Sequence, residues 1–543
     1  MKVLLAQQNY HIGNISYNTS KIIAAIEHAQ SVNASLVVFS ELAVCGYPPK
    51  DLLEHEHFIE SCNKALLELA HHTKHIHVLV GAPHQLSNSA NQKRLFNSAY
   101  HLHNGAIQQI IHKTLLPTYD IFDEARYFET ATENQCITIE GVKFAITICE
   151  DIWNIQNHKY PIQPLDALVK EQPDCIINLS ASPFDYTQEQ KRYQTLFATV
   201  QHYQLPIIYC NAVGAQTDLI FDGGSLYMNA EGEIIEKANS FEEALLLIDT
   251  NINSKENQSQ ASASPSIASI HQALIIGIRD YFSKMGIQNA LIASSGGIDS
   301  AVVVALACEA LGPDKVHTLL LPSPFSSSHS ISDAIALANN LNCSHDTIAI
   351  DSIYQSYTSS LAYAFEGLPF SVAEENLQSR IRGGLVMAYA NKFNKIVLNT
   401  SNKSELATGY GTLYGDMIGG LSILGDLYKT QVYELAHYIN TNTTVIPISI
   451  IEKAPSAELR PNQKDSDSLP EYEILDAVLF QLIEEQASVE QVIKNGFDEK
   501  LVKRTAHLLT QNEYKRNQFC PILRVSSKSF GSGRRIPIVA KLY

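Results

Sequence analysis

The chain reads as two α/β domains in series, and three observations predict this. Short apolar runs rich in β-branched residues alternate with amphipathic stretches through the first half. The second half repeats the alternation in strand–helix units of the kind that build an open parallel sheet. Between them, Asn251 to Ser269 (NINSKENQSQASASPSIAS) holds no aromatic residue and is dominated by Ser, Asn and Gln, as in a solvated linker. The division expected is residues 1–250, a linker over 251–269, and residues 270–543.

In the first half the strand-like runs are Val3–Ala6, Leu36–Phe39, Val78–Val80, Phe144–Ile148, Cys175–Leu179 and Ile207–Tyr209, with helical patterns such as Asn18–Ala29 between them. Chemistry in such domains gathers just past the carboxyl ends of strands. Glu41 follows the second run and Cys149 the fourth. The second half opens with a helix over Ile270–Met285. Then come a strand at Ala290–Ala293, the segment SSGGIDS, and an apolar helix over Ala301–Leu311. Val316–Leu321 and Ile396–Asn399 read as further strands, Ser330–Leu341 and Gln378–Lys392 as further helices.

Composition narrows the function classes. With 39 Lys and Arg against 56 Asp and Glu, the net charge is −17, which argues against a nucleic-acid binder. No apolar run reaches the length of a membrane span. The amino-terminal apolar stretch is broken at Gln7, Gln8 and Asn9, too early for a signal-peptide core. Nine scattered cysteines without a CxxC pair make neither a disulfide framework nor a zinc site. A cytoplasmic protein with reduced thiols, binding neither nucleic acid nor membrane, is expected. The histidine-rich HHTKHIH (His71 to His77) reads as a helix end running into a strand rather than as a metal site.

Ser294-Ser295-Gly296-Gly297-Ile298-Asp299-Ser300 lies between a strand and a helix. Its glycines allow close approach of an anion, and the helix start offers free N–H groups. No Gly-Lys-Ser/Thr follows, so it is not a Walker A loop. Asp299 would repel bare phosphate, so a divalent cation is expected between them. The loop resembles the pyrophosphate loop of the N-type ATP pyrophosphatases. ENLQSRIRG (Glu375–Gly383), LNTSNKSELATGYGTLYGDM (Leu398–Met417), LGDLYKTQVYEL (Leu424–Leu435), PSAELRP (Pro455–Pro461) and SSKSFGSGRR (Ser526–Arg535) resemble the NAD synthetases.

The first half carries FSELAVCGYPPKDLL around Glu41, HKTLLPTYDIFDEARYF around Lys113 and ICEDIW around Cys149. Glu150 and Asp151 beside Cys149 would raise its thiol pKa, so a nucleophilic role needs a base and a cation from elsewhere. Glu41 can take the thiol proton, and Lys113 can stabilise an oxyanion. The order Glu–Lys–Cys resembles the nitrilase-like amidases, and the flanks resemble the glutaminase domain of glutamine-dependent NAD synthetases.

The resemblance implies a nitrilase-like α-β-β-α sandwich followed by an adenine nucleotide alpha hydrolase-like, open parallel-sheet domain. It implies a ligase that adenylates deamido-NAD with ATP and Mg2+ and aminates it with ammonia from L-glutamine, delivered through a protected channel. It carries catalytic roles onto Glu41, Lys113 and Cys149, and glutamine contacts onto Tyr119 and Ser182. A third glutamine contact, usually Lys, falls on Gln188. Either Lys191 substitutes for it or glutamine affinity is altered. ATP contacts fall on Ala293, Ser294, Ser295, Gly296, Gly297, Ile298, Asp299, Ser300, Thr400, Lys429 and Ser456. Deamido-NAD contacts fall on Asn376, Arg380, Glu405, Asp416 and Lys528, with Asp299 and Glu405 as magnesium ligands. A homo-oligomer is expected, and SSKSFGSGRR is expected to act as a flexible lid over anionic substrate. Two alternatives stay open: another ATP-pyrophosphatase amidotransferase acting on a nucleotide or tRNA, and a non-catalytic binding protein on the same folds.

Overall fold

The computed structural model describes residues 1–87, 93–251, 266–456, 458–460 and 470–541. The chain divides into two compact units, Met1–Pro265 and Ser266–Tyr543. Most of the expected linker, 252–265, lies outside the described residues, as do Ala457 and Pro461 of PSAELRP.

Unit 1 contains two six-stranded sheets. Along the chain the strands are β1 (Lys2–Gln7), β2 (Leu36–Val38), β3 (His77–Ser87), β4 (Lys93–His103), β5 (Ala106–His112), β6 (Ile137–Ile139), β7 (Val142–Ile148), β8 (Cys175–Ser180) and β9 (Ile207–Asn211). They continue with β10 (Val213–Gln216), β11 (Leu219–Asp222), β12 (Leu226–Met228), β13 (Ile234–Lys237) and β14 (Ala244–Asp249). The first sheet runs β14-β1-β2-β3-β4-β5 and the second β13-β12-β9-β8-β7-β6, while β10 and β11 form a separate hairpin. In each sheet three central strands are parallel (β1-β2-β3 and β7-β8-β9) and the flanking strands antiparallel.

Alternation along the strands decides which faces meet. Val3, Leu5, Leu36, Val38 and Leu79 pack in one core with Ile146, Ile148, Ile177, Leu179 and Ile208, so the two sheets face each other. The outer face of the first sheet buries helices Ile15–Ser31 and Glu56–His71. The outer face of the second buries helix Gln188–Tyr203 and the short helix Pro164–Leu168. The result is an α-β-β-α sandwich.

Two features exceed the expectation from sequence. The expected strand Val78–Val80 extends to Ser87, and it continues through β4 into β5. The turn between β4 and β5 is Asn104-Gly105, both at positive φ, a strong two-residue hairpin signal. The histidine-rich segment does end a helix, at His71, before β3. Among the described residues no group of three His, Cys, Asp or Glu could hold a metal.

Unit 2 has one all-parallel sheet in the order β17 (Ser344–Thr347), β16 (Val316–Leu320), β15 (Asn289–Ala293), β18 (Lys395–Asn399), β19 (Leu421–Ser422). Helix Ile298–Leu311 buries 11 of its 14 residues. A helix apolar all round belongs in an interior, and this one is packed by helices Ile267–Met285 and Lys429–Ile439. Helix Val372–Lys392 covers the opposite face, placing Ile381, Val386 and Ala390 against Leu291, Leu319 and Val397. It starts six residues before the apolar pattern because Ser371 and Glu374 form a reciprocal capping box. A second core gathers helices Tyr472–Ile483, Val489–Lys494 and Glu499–Gln511 around Leu406, Leu479 and Val502.

Candidate active sites

In unit 1 the expected residues converge at strand ends. Cys149 directly follows β7 and opens a short 3-10 turn, Glu41 follows β2, and Lys113 follows β5. Lys113 Nζ donates to Glu41 Oε1 at 2.7 Å, with no solvent exposure on either side chain. Close approach of the backbones makes this possible. A Cβ on Gly81 of β3 would stand 2.3 Å from Leu42 N, so only glycine lets the Glu41 turn lie against that strand.

A second carboxylate, Glu124, completes the cluster, and the sequence reading missed it. Lys113 Nζ donates to both its oxygens, at 2.8 and 2.9 Å. Tyr47 OH donates to Glu124 Oε1 at 2.9 Å, and Asn97 Nδ2 donates to Glu41 Oε1 at 2.7 Å. Ala181 N donates to the other Glu41 oxygen at 3.1 Å. Two buried anions around one buried cation leave an excess negative charge. Burial, and then Glu41, push Glu124 up to about 7 against the pull of Lys113. Burial opposes the Lys113 charge, but Glu124 and Glu41 outweigh it and hold the ammonium well above its usual range.

Cys149 has φ +43, an uncommon left-handed conformation for a residue with a side chain. Burial first, then Glu41, push its thiol well up, while Lys113 pulls the other way. The thiol is therefore protonated at rest and needs a base in reach during reaction. Of the two neighbouring acids, Glu150 acts as the sequence predicts and Asp151 does not. Glu150 adds a small upward push. Asp151 instead turns to the backbone, accepting from Thr114 N, Leu115 N and Ile148 N at 2.8–3.0 Å. It thereby ties the strand end after Lys113 to the turn that carries Cys149.

Around this turn Tyr119 OH donates to both Glu150 oxygens, at 2.9 and 3.0 Å, and Tyr160 OH to one at 3.1 Å. Gln188 Nε2 donates to Ser182 Oγ at 3.1 Å, so those two expected residues are neighbours. Lys191 points elsewhere: it is half exposed, with Asp185 at 3.7 Å.

In unit 2 a pocket opens at the carboxyl ends of β15, β16 and β18. That is where strand order reverses and open α/β sheets take ligands. Ala293, Ser294, Ser295, Gly297, Ile298, Asp299, Ser300, Thr400, Glu405, Asp416, Lys429 and Ser456 all line it. Gly296 stands behind the lining at φ +76. A Cβ there would come within 2.1 Å of Ser330 O, so the loop is packed too tightly for any other residue. Ser300 Oγ donates to Gly297 O at 3.0 Å, and Gly297 N donates to Ser295 Oγ at 3.2 Å. Ser294 Oγ is buried without a partner.

Asp299 accepts from Asn402 Nδ2 at 2.9 Å and from Lys429 Nζ; Glu405 lies 3.9 Å from the same ammonium. Burial works against the Lys429 charge, but Asp299 and Glu405 outweigh it and raise its pKa well above the usual range. Further pocket residues had no single-motif signal. Arg382 donates through Nε to Leu321 O at 2.9 Å, and Lys453 reaches Ser330 and Glu458.

Asn376 and Arg380 lie outside the lining but gather on the loop before Asp416. Thr412 Oγ1 donates to Asn376 Oδ1 at 2.6 Å, and Arg380 Nε donates to Leu413 O at 3.3 Å. Lys528 is not brought into the lining either. Its segment is fastened, not free as a lid would be. Asp426 accepts from Val525 N, Ser526 N and Ser526 Oγ; Phe530 is buried; Arg534 pairs with Glu513. A buried carboxylate that needs these donors holds the segment down.

Comparison with known proteins bears on both units. The Carbon-nitrogen hydrolase family matches residues 2–258 and the NAD synthase family residues 270–519. The glutamine-dependent NAD(+) synthetase of a Synechocystis species is 45% identical, with 99% of this chain and 98% of that one aligned. That of Acinetobacter baylyi is 41% identical over the same shares. Among solved structures, the glutamine-dependent NAD+ synthetase of Acinetobacter baumannii in complex with adenosine diphosphate superposes with a TM-score of 0.79. It is 38% identical and covers 99% of this chain and 98% of its own.

Proposed function

The chain belongs to the family of glutamine-dependent NAD(+) synthetases, and from that premise we propose the following assignment of the reaction to its residues. The enzyme is a carbon–nitrogen ligase that converts deamido-NAD, ATP, L-glutamine and water to NAD, AMP, pyrophosphate and L-glutamate. Residues 1–250 make ammonia and residues 270–543 use it.

In the first unit Glu41 takes the Cys149 proton as the sulfur attacks the glutamine amide carbon. The tetrahedral oxyanion develops beside the Lys113 ammonium; on collapse Glu41 returns the proton to the amide nitrogen, which leaves as ammonia, and a thioester remains. Water deprotonated by Glu41 then releases glutamate. Glu124 keeps Lys113 charged and in place. The observation that carries this reading is the buried Glu41–Lys113–Glu124 array at the Cys149 turn. Such an array is costly to bury and has an evident use in proton transfer.

In the second unit the loop from Ser294 to Ser300 takes the phosphates of ATP, helped by Thr400, Lys429 and Ser456. Asn376, Arg380, Glu405, Asp416 and Lys528 hold deamido-NAD. Its carboxylate attacks the α-phosphorus, because an oxide is a poor leaving group and AMP a good one. The ADP bound to the Acinetobacter baumannii relative supports a nucleotide in this family. Asp299 and Glu405 fit Mg2+: they are hard oxygen donors that both line the pocket and both reach the Lys429 ammonium. Magnesium commonly takes one or two carboxylates and leaves the rest to phosphate and water. When bound, it would neutralise charge on the departing pyrophosphate.

No helix among the described residues is long and apolar enough to cross a membrane. We place the enzyme in the cytoplasm as a homo-oligomer acting on small molecules. The deciding experiment compares NAD formation from glutamine and from ammonia, with AMP release measured alongside. AMP release that depends on some acceptor other than deamido-NAD would overturn the assignment.

A further inference from the structure

Glutamine reaches Cys149 as a zwitterion. A site that discriminates it from other amides must offer an anion to its α-ammonium and a cation to its α-carboxylate, side by side. The anion is on the page: Glu150, next to the nucleophile, is nearly buried and is held by the hydroxyls of Tyr119 and Tyr160.

The cation is less obvious, because the charged groups around this turn are mostly spent. Lys113 is enclosed by Glu41 and Glu124. Arg192 is buried against Asp222, with 2.6 Å between Nη2 and Oδ1, and also donates to Gly223 O. Lys191 lies with Asp185. Gln188 is uncharged, and its amide already donates to Ser182. Lys159 differs. Its ammonium stands 3.6 Å from the centroid of the Tyr119 ring, the ring whose hydroxyl holds Glu150. No carboxylate of a described residue lies within ion-pair distance of it, although Glu150 is near enough to feel its charge. A cation over an aromatic face is oriented without being neutralised, so it keeps its attraction for an incoming anion.

We propose that Lys159 binds the α-carboxylate of the substrate glutamine, with the Tyr119 ring positioning its ammonium and Glu150 taking the α-ammonium. The inference rests on the reading of Cys149 as the glutaminase nucleophile. Because the contact is made equally in the ground and transition states, its loss should appear in KM and not in kcat.

The test uses the full-length enzyme and measures glutamate release from L-glutamine, with the α-carboxamide of L-glutamine as a competing ligand. Lys159→Met should raise KM for glutamine roughly tenfold or more, the scale of one charge-assisted hydrogen bond. Its kcat should stay within about threefold, and the inhibition constant of the α-carboxamide should not move. Lys159→Arg should restore most of the affinity. A glutamine KM within twofold of wild type in Lys159→Met overturns the proposal. So does a parallel loss for both ligands, which marks a merely structural role. Ammonia-supported NAD formation should be unchanged and reports folding. If wild type releases no glutamate, or Cys149→Ala still does, the underlying reading has failed rather than this one.

Discussion

The two sites of this chain are built by opposite means. Around Cys149 nearly everything is side chain. Glu41, Lys113, Glu124 and Asn97 are buried and hydrogen-bonded to one another before any substrate arrives. Around the loop after β15 the small residues Ser294, Ser295, Gly297 and Ser300 form part of a pocket whose other walls are aliphatic side chains and a few charged ones, among them Asp299, Glu405 and Lys429. The difference fits the chemistry we propose for each. A covalent amide cleavage must move protons between fixed atoms, so ionised groups are set in advance and their desolvation is offset by mutual contact. Adenylation has a phosphate-bearing substrate that carries its own charge, so the protein supplies shape, N–H groups and a cationic side chain. At a site of the first kind the nucleophile has no substitute. A site of the second kind loses function in steps.

Cys149→Ala should break the comparison most sharply. Glutamine-supported NAD formation should fall by at least roughly a thousandfold, because no other group forms the thioester. Ammonia-supported formation should remain within about twofold. Equal loss with both nitrogen donors would show that the two sites do not divide the labour.

Asp299→Asn comes next, with a loss of roughly a hundredfold from either donor. The substitution removes the charge opposite Lys429 and weakens the clamp on pyrophosphate. Wild-type rates across a magnesium titration would remove Asp299 from that role.

Glu124→Gln tests how much the buried array matters. Burial and Glu41 push Glu124 up to about 7, so wild-type kcat/KM for glutamine should decline on the acid side of neutrality as its carboxylate takes up a proton and slackens its hold on Lys113. The glutamine variant should be about tenfold slower and flat across that range. A profile unchanged from wild type would place the ionisation elsewhere.

A smaller effect concerns stability. Burial lowers His101 and His112 to about 4, which favours proton uptake by the unfolded chain. Their contribution is present above the unfolded value near 6.5 and is lost as pH falls towards 4. Acidification from pH 7 to 5 should lower the Tm of the first unit, and in His101→Gln that drop should shrink by on the order of 3 °C. Thermal scans of both proteins at the two pH values decide it.

The smallest effect is expected at Lys528. Lys528→Ala should raise KM for deamido-NAD about threefold to tenfold with either donor and leave glutamine hydrolysis alone. Unchanged deamido-NAD kinetics would mean that the segment fastened to Asp426 only packs.

The parts legible in the sequence were those with local signals. Runs such as Leu36–Val38 and Val142–Ile148 announce strands, and Glu41 and Cys149 could be placed at their ends because strand exits follow directly. Gly296 and Gly297 marked the turn between β15 and helix Ile298–Leu311 in the same way. What stayed hidden depends on partners far along the chain. Glu124 meets Tyr47 and shares Lys113 with Glu41 from 77 residues away and more, and nothing in its own neighbourhood of sequence points to either. Closeness in sequence alone makes Asp151 an electrostatic neighbour of Cys149. The turn at Cys149 instead aims it at three amides. The capping of helix Val372–Lys392 shows the converse: Ser371 and Glu374 were a readable start signal that an apolar pattern alone overlooks.

The pairing of β1 with β14 has a wider consequence. The first and last strands of unit 1 lie side by side, with Lys2 opposite Asp249, and the amino terminus donates to Thr250 Oγ1 at 3.1 Å. Entry and exit of the unit therefore share one edge of one sheet. A unit so arranged can be spliced ahead of another by a single covalent joint, with no strand threaded and no core reopened. A cassette of this shape is portable. Two units joined in this way each keep complete sheets of their own, so either can be moved without recutting its core.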